Sequence, residues 1–185
     1  MSAHRFEDER FLRGKGRYVA DINRENQLYA KIVRSIHGHA KIINIDISDA
    51  LTVDGVCGIY VEDDLAKDGV GPLPCTTKFV AEQPLVVAER YALARDKVRY
   101  VGDPVALVLA ETEMAAQEAA ELVLVDYEAL PVLVSPVNSM QDGSPLIWSN
   151  APKNIAYRFK KGEKESTVAA FDGAAHVVEL DIENN

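Results

Sequence analysis

The sequence predicts an α+β fold with a mixed β-sheet and a few packed helices. Residues 105–110 are all apolar, and a short run without alternation is typical of a strand that is covered on both faces. Residues 113–123 place acidic and amide side chains on one arc of a helix, and alanines and aliphatic side chains on the other. Residues 124–128 then alternate between apolar and polar side chains, which indicates a half-exposed strand.

The apolar strand has a predicted turn before it and a predicted helix cap after it. Gly102, Asp103 and Pro104 form the structural turn, because glycine tolerates positive φ and proline suits the first residue of a strand. Thr112 offers an N-cap hydroxyl, and Glu113 places a carboxylate in the first helical turn. These signals together predict a strand–helix–strand unit whose sheet the rest of the chain must cover.

The other elements are shorter and are predicted from local patterns. Strands are expected at residues 27–35, 41–47, 56–61, 85–88 and 176–182. Short helical turns are expected at residues 49–51, 62–65, 135–140 and 166–171. Glycines and prolines punctuate residues 67–84, and loops of this length often face a partner. The expected strand at 176–182 has nothing after it to pair with, which hints at a longer polypeptide.

The N-terminal segment, residues 1–24, is predicted to be a docking arm. It lacks a clear period of 2 or 3.6, and its acidic residues precede a basic stretch with two glycines. The candidate docking residues are Arg10, Phe11, Arg13, Gly14, Gly16 and Tyr18. One interpretation is an anion- or partner-binding loop in which the glycines allow a close backbone approach. The other is an extended arm whose Phe11, Leu12 and Tyr18 pack on the body of the domain.

Composition excludes several classes of protein. A net charge of −9 argues against general binding to nucleic acid or to anionic membranes. No apolar run approaches the roughly 18 residues of a spanning helix, and the polar start is no secretory signal, so a soluble, cytoplasmic protein is expected. Cys57 and Cys75 lack the CxxC spacing of metal sites and predict two reduced, partly buried thiols.

No set of polar residues forms a recognisable catalytic motif. His37 and His39 allow a metal-dependent hydrolase as a remote alternative, but metal sites need three or four convergent ligands, so a hydrogen-bonded turn is favoured. Glu62, Asp63 and Asp64 lack the spacing of a calcium loop and predict a solvated turn. Nucleophile elbow, HExxH, Rossmann and P-loop patterns are absent from the sequence. No catalytic, cofactor-binding or metal-binding residue is therefore assigned.

Five stretches nevertheless form a recognisable series. They are RFEDERFLRGKGRYVADI at residues 5–22, VRSIHGHAKI at 33–42, DKVRYVGDPVA at 96–106, EAAELVLVDYEALP at 118–131 and AAFDGAAHVV at 169–178. In order and spacing they resemble the N-terminal part of the molybdopterin-binding large subunit of the xanthine dehydrogenase, aldehyde oxidase and carbon monoxide dehydrogenase family. Ile36 stands where that family usually has proline.

The resemblance implies an α/β-hammerhead domain at residues 25–135. Residues 1–24 would then be the docking arm, and residues 136–185 an extension leading toward molybdopterin-binding domains that lie beyond this sequence. In the family, those later domains hold the cofactor and the catalytic glutamate, so this part alone is expected to be inactive and to lack a cofactor. Its partners would be the molybdopterin-binding domains of the parent chain and the iron–sulfur and FAD subunits.

The parent enzyme implied by the resemblance is a molybdenum-dependent oxidoreductase. It would hydroxylate aldehydes, purines or related heterocycles with oxygen from water, or oxidise carbon monoxide. The alternative is a stand-alone, non-catalytic binding or scaffold module that reuses the hammerhead fold. If faces that meet the molybdenum domains are exposed, an apolar patch and self-association are also expected.

Overall fold

The computed structural model describes residues 5–76 and 85–182. The chain divides into two compact units. The first comprises Met1–Leu73 and Glu89–Leu133, and the second comprises Pro74–Ala88 and Val134–Asn185.

The first unit holds every described strand. Its helices are α1 (Asp8–Leu12), α2 (Glu62–Lys67) and α3 (Glu113–Leu122), with 3-10 turns at Val19–Asp21 and Ala50–Thr52. Its strands are β1 (Tyr29–Arg34), β2 (Ala40–Asp46), β3 (Val56–Val61), β4 (Lys97–Val98), β5 (Pro104–Ala110) and β6 (Leu124–Ala129). The second unit contains α4 (Pro136–Ser139), a 3-10 turn at Pro152–Asn154 and α5 (Lys164–Asp172).

The strands form two three-stranded sheets, with the orders β1–β5–β3 and β4–β2–β6. In the first sheet Tyr29 and Val56 lie on either side of Ala110, and in the second Ala40 lies between Val98 and Ala129. All four described pairings are antiparallel. The α+β class is confirmed, but the single mixed sheet is corrected to two antiparallel ones. The reason is that β5 and β6 belong to different sheets. The helix α3 therefore connects one sheet to the other and does not join two parallel strands of one sheet.

The strand–helix–strand unit forms the core, as its pattern predicts. Val105, Ala106, Val108 and Ala110 of β5 are fully buried. Residues of α3, including Ala119, pack with Ala106 and Val108 in one apolar cluster. The Thr112 hydroxyl oxygen accepts a hydrogen bond from the Ala115 amide at 3.1 Å, which confirms the predicted N-cap.

Two predicted strands are wrong. Residues 85–88 have no strand structure, although the Val86 amide donates to the Ala156 carbonyl at 2.9 Å. Residues 176–182 also form no strand, and their side chains are exposed. A strand needs a partner for its backbone groups, and the alternating pattern alone does not supply one. The predicted loop at 67–84 falls partly outside the described residues, which stop at Thr76 and resume at Leu85.

Three smaller expectations also have a structural outcome. The Ser135 hydroxyl accepts a hydrogen bond from the Asn138 amide at 3.3 Å, so the capped helix after residue 135 is confirmed. Cys57 and Cys75 are free thiols, but both are exposed, so their predicted partial burial is wrong. Within residues 5–76 and 85–182, no helix is both long and apolar enough to span a membrane.

Candidate functional site

Two segments far apart in the sequence lie side by side at one end of the first sheet. They are the loop after β1, residues 35–39, and the turn before β5, residues 100–103. The Ser35 amide donates to the Asp103 carbonyl at 2.9 Å, and the Gly102 amide donates to the Ser35 carbonyl at 2.7 Å. Arg34 Nη1 also donates to the Gly102 carbonyl at 2.9 Å. These bonds hold the two segments together as a single structure, here called the paired loops.

The turn in the paired loops depends on Gly102 and Asp103. Gly102 has a φ of +89°, which a residue with a side chain rarely adopts. Asp103 Oδ2 accepts a hydrogen bond from the Arg99 amide at 2.9 Å, which closes the turn from the inside. Pro104 then begins β5, opposite Arg34. The three predicted turn residues therefore act on consecutive parts of one bend.

His37 and His39 are engaged by different neighbours. The His37 ring lies against the Tyr127 ring, with centroids 4.8 Å apart, and its backbone is hydrogen-bonded to Ser35 Oγ. His39 is 4% exposed, and its Nδ1 lies 2.9 Å from the Pro131 carbonyl oxygen, to which it donates. Among the described residues His39 Nε2 has no hydrogen-bond partner, and no three His, Cys, Asp or Glu side chains are grouped to hold a metal ion.

The electrostatics of the paired loops follow from partial burial. Burial lowers the pKa of Arg99, while the nearby Asp103 carboxylate opposes that shift. Burial raises the pKa of Tyr127, and hydrogen bonding to Ser35 opposes it. The pKa of Tyr127 therefore moves further from neutral pH, which does not favour Tyr127 as a general acid or base.

Apolar side chains are exposed on and beside the paired loops. Ile36 is 79% exposed and Val101 is 69% exposed, and each flanks a residue of the hydrogen-bonded pair Ser35 and Gly102. Tyr100 and Val132 are also exposed, and a Val132 methyl lies 3.0 Å from where a Cβ on Gly38 would sit. We call Ile36, Tyr100, Val101 and Val132 the loop patch. Rigid loops that display several large apolar groups are typical of an interaction surface.

Four of the six candidate docking residues of the arm, Arg10, Phe11, Gly16 and Tyr18, form a second, local cluster. The rings of Phe11 and Tyr18 stack with centroids 6.3 Å apart, and the Arg10 guanidinium lies 5.1 Å from the Phe11 ring centroid. A Cβ at Gly16 would lie 3.2 Å from each ring, so glycine allows the chain to pass between them.

The rest of the arm is held by local contacts. Gly14 has a φ of +65° and follows α1, and Arg13 forms an ion pair with Glu9. The arm is therefore helical in part rather than extended. Tyr18 is 66% exposed and Leu12 is also exposed, so the expectation that Phe11, Leu12 and Tyr18 pack on the body is wrong.

A third polar cluster was not predicted from the sequence. Glu62, expected to lie in a solvated turn, is 4% exposed, and its Oε2 accepts a hydrogen bond from Arg95 Nε at 2.8 Å. Arg95 Nη1 donates to the Tyr91 hydroxyl at 3.0 Å, and the guanidinium lies over that ring. The partners are 33 residues apart, so neither spacing nor periodicity could reveal the pair.

Comparison with known proteins decides the family. Residues 13–131 match the family model described as "Aldehyde oxidase and xanthine dehydrogenase, a/b hammerhead domain". The chain belongs to this family. The hammerhead chain is 38% identical over 176 residues to the nicotine 6-hydroxylase large subunit of Paenarthrobacter nicotinovorans, covering 94% of this chain and 21% of that protein. It is 35% identical over 190 residues to the carbon monoxide dehydrogenase large chain of Afipia carboxidovorans, covering 96% of this chain and 22% of that one.

A solved structure gives the same result. The hammerhead chain superposes on Cu,Mo-CO dehydrogenase with a TM-score of 0.72 and 34% identity, covering 94% of this chain and 22% of that one. The family resemblance seen in the sequence is thereby confirmed, together with the hammerhead fold. The chain spans about a fifth of the length of the relatives that it matches.

Proposed function

We propose that this hammerhead chain is a structural and docking part of a molybdenum hydroxylase large subunit, and that it lacks the active site. The observation that carries the proposal is the loop patch, because three exposed apolar groups stand on the hydrogen-bonded paired loops and a fourth, Val132, lies beside them. Covering solvent-exposed apolar groups with another surface lowers the free energy. The molybdopterin-binding domains of the parent chain are the proposed cover.

The lining of the cleft beside Glu62 does not fit a molybdopterin cofactor, whose phosphate groups are anionic. The cleft beside Glu62 is lined by Asp63 and Asp96 as well, and its arginine, Arg95, is already paired with Glu62. In the paired loops Arg34 donates to a backbone carbonyl. No step of the parent reaction is therefore assigned to these residues. The proposed hydroxylation of aldehydes or heterocycles with water-derived oxygen, or oxidation of carbon monoxide, takes place elsewhere in the parent enzyme.

The loop patch is tested in a chimeric large subunit. This chain replaces the corresponding segment of the nicotine 6-hydroxylase large subunit, and the molybdenum content and yield of assembled enzyme are measured. The double variant Ile36→Glu/Val101→Glu should lower the assembled fraction roughly tenfold or more, since burying two carboxylates without partners is strongly unfavourable. The control is Met114→Glu, an exposed apolar residue on α3. Equal assembly of the double variant and the control would contradict the proposed role.

We propose the arm at residues 1–24 as the contact for a partner subunit, with the iron–sulfur and FAD subunits as the proposed partners. Its exposed Leu12, Tyr18 and Val19 supply apolar area, and its basic residues supply charge. In the same chimera, Leu12→Ser/Tyr18→Ser should reduce co-purification of the iron–sulfur subunit and leave molybdenum content unchanged. If molybdenum content falls and co-purification does not, the arm serves the parent chain instead.

The loop patch also bears on the behaviour of the 185-residue chain alone. We propose that the uncovered patch binds a hydrophobic dye and drives weak self-association at high concentration. Sedimentation of the chain with and without Ile36→Glu/Val101→Glu measures this directly. A monomer that binds no dye at high concentration would contradict it. The same preparation should contain no stoichiometric molybdenum and show no dehydrogenase turnover.

A further inference from the structure

The edge of β2 is only partly covered within its sheet. β6 pairs with β2 from Ala40 to Asp46, whereas β4 pairs only with Ala40 and Lys41. One further contact follows, in which the Ile42 amide donates to the Asp96 carbonyl at 2.8 Å. Asp96 has a φ of +58°, and the chain leaves the edge at that point. Among the described residues, no strand pairs with this edge of β2 beyond Ile42.

A cleft lies along the uncovered edge. It has a volume of about 310 Å³ and is lined by the edge residues 42–45, by residues 61–63 where β3 meets α2, and by residues 94–96. Ile43 sits at a register shift in β2 and is 61% exposed, so the cleft offers apolar contact beside backbone groups. At about 3.3 Å per residue, positions 43–46 provide room to pair with about four residues of an extended peptide.

The charge of the cleft selects the occupant. Glu62 and Arg95 neutralise each other through their hydrogen bonds. The two remaining ionisable groups of the lining are Asp63 and Asp96, both exposed and both acidic. Asp96 also interacts electrostatically with Arg95 and Arg99, so Asp63 carries the larger share of the charge available to a ligand. A second copy of the chain paired here would bring four carboxylates together, and the chain already carries a net charge of −9. Like charges facing each other oppose such a pairing.

We propose that the open edge of β2 binds an extended peptide segment that carries lysine or arginine, by adding it as a strand in line with β4. Backbone hydrogen bonds to those N–H and C=O groups of residues 43–46 that point away from β6 hold the segment, and Asp63 and Asp96 pair with its cations. This surface is separate from the loop patch and the arm, and it does not depend on the function proposed for them.

The test uses the ¹⁵N-labelled 185-residue chain and two capped pentapeptides, Lys-Val-Thr-Val-Lys and Glu-Val-Thr-Val-Glu. Titration with the basic peptide should shift the amide resonances of residues 43–46 and of Asp96. The acidic peptide should bind at least about fivefold more weakly than the basic one, as two exposed charge pairs predict. Equal binding of both peptides, shifts mapped to other residues, or no binding at millimolar peptide would overturn the proposal.

Two variants with the same change of net charge separate the effect of the cleft carboxylates from the effect of net charge. Asp63→Asn/Asp96→Asn removes both carboxylates, and asparagine tolerates the positive φ at position 96. This variant should bind the basic peptide about threefold more weakly. Glu118→Gln/Glu121→Gln makes the same change of net charge on the exposed face of α3 and should bind it as the unmodified chain does. An equal loss in both variants would show only a net-charge effect and would overturn the assignment to the cleft. The comparison of the two peptides on the unmodified chain requires no variant to fold.

Discussion

Replacing Arg95 by methionine should destabilise the first unit through the carboxylate that it leaves behind. Methionine keeps the apolar stem of the side chain but removes the donors to Glu62 and Tyr91. Glu62 is 4% exposed, so water cannot fully replace the lost hydrogen bonds. The Arg95 side chain is itself 37% exposed, which lets some solvent reach the pair.

The expected cost lies between that of a buried pair and that of a surface pair. Removing one partner of a fully buried pair costs about 3–5 kcal/mol, whereas exposed pairs contribute about 0–1 kcal/mol. With one partner buried and the other partly solvated, we expect Arg95→Met to lower the free energy of unfolding by about 2 kcal/mol. Glu62→Gln should cost less, about 1 kcal/mol, because the arginine it leaves unpaired can reach solvent.

Urea denaturation of the single and double variants measures the coupling between the two side chains. A coupling energy of about 1–2 kcal/mol is expected, well above the roughly 0.5 kcal/mol within which independent sites add. The matched control is Lys41→Met, which breaks an exposed pair with Glu128 at 2.9 Å and should cost about 0.5 kcal/mol or less. Additive effects for Arg95 and Glu62, or equal costs for Arg95→Met and Lys41→Met, would refute the reasoning.

Three other substitutions and one control test the turn, the helix face and the N-terminal cap of α2 by the same denaturation assay. Gly102→Ala should cost about 1 kcal/mol, because φ is +89°, although among the described residues no atom beyond the two adjacent residues lies within 4 Å of the added Cβ. Ala119→Leu should cost about 1–3 kcal/mol by overpacking a fully buried site, whereas Glu118→Leu on the exposed face should stay within about 0.5 kcal/mol. The Asp64 carboxylate accepts hydrogen bonds from the Val61 amide and from Lys67, which lower its pKa from the ordinary value of 3.8. The contribution of Asp64 to stability is therefore present above pH 3.8 and is lost as the pH falls through the lower pKa of the folded state. Asp64→Asn should therefore flatten the fall in stability below about pH 4, and an unchanged pH profile would contradict this.

The elements that the sequence predicts well are those whose information is local. The apolar run of β5 and the alanine face of α3 each specify burial by their own spacing, and both are buried as expected. The Thr112 cap depends on a hydroxyl and an amide three residues apart, so it too can be predicted from neighbouring residues.

Sheet membership depends on pairing between distant residues, and here prediction fails. Nothing local shows that Tyr29 and Val56 both lie opposite Ala110, or that β5 and β6 belong to different sheets. The alternation in residues 124–128 and that in residues 176–182 are equally good strand patterns. The first forms β6 because β2 pairs with it, and the second has no strand partner among the described residues.

The paired loops show what the linear motifs of the sequence correspond to in space. The stretches at 33–42 and 96–106 lie far apart in the chain, yet their central residues Ser35 and Gly102 hydrogen-bond to each other. In the same stretches, His39 donates to a backbone carbonyl, and Asp103 closes a turn. Apart from His39 Nε2, these polar groups are occupied in fixing the backbone, and the exposed groups beside them, Ile36 and Val101, are apolar. This arrangement favours an interaction surface rather than a catalytic site. It is the reason for measuring the assembly of the large subunit rather than its turnover.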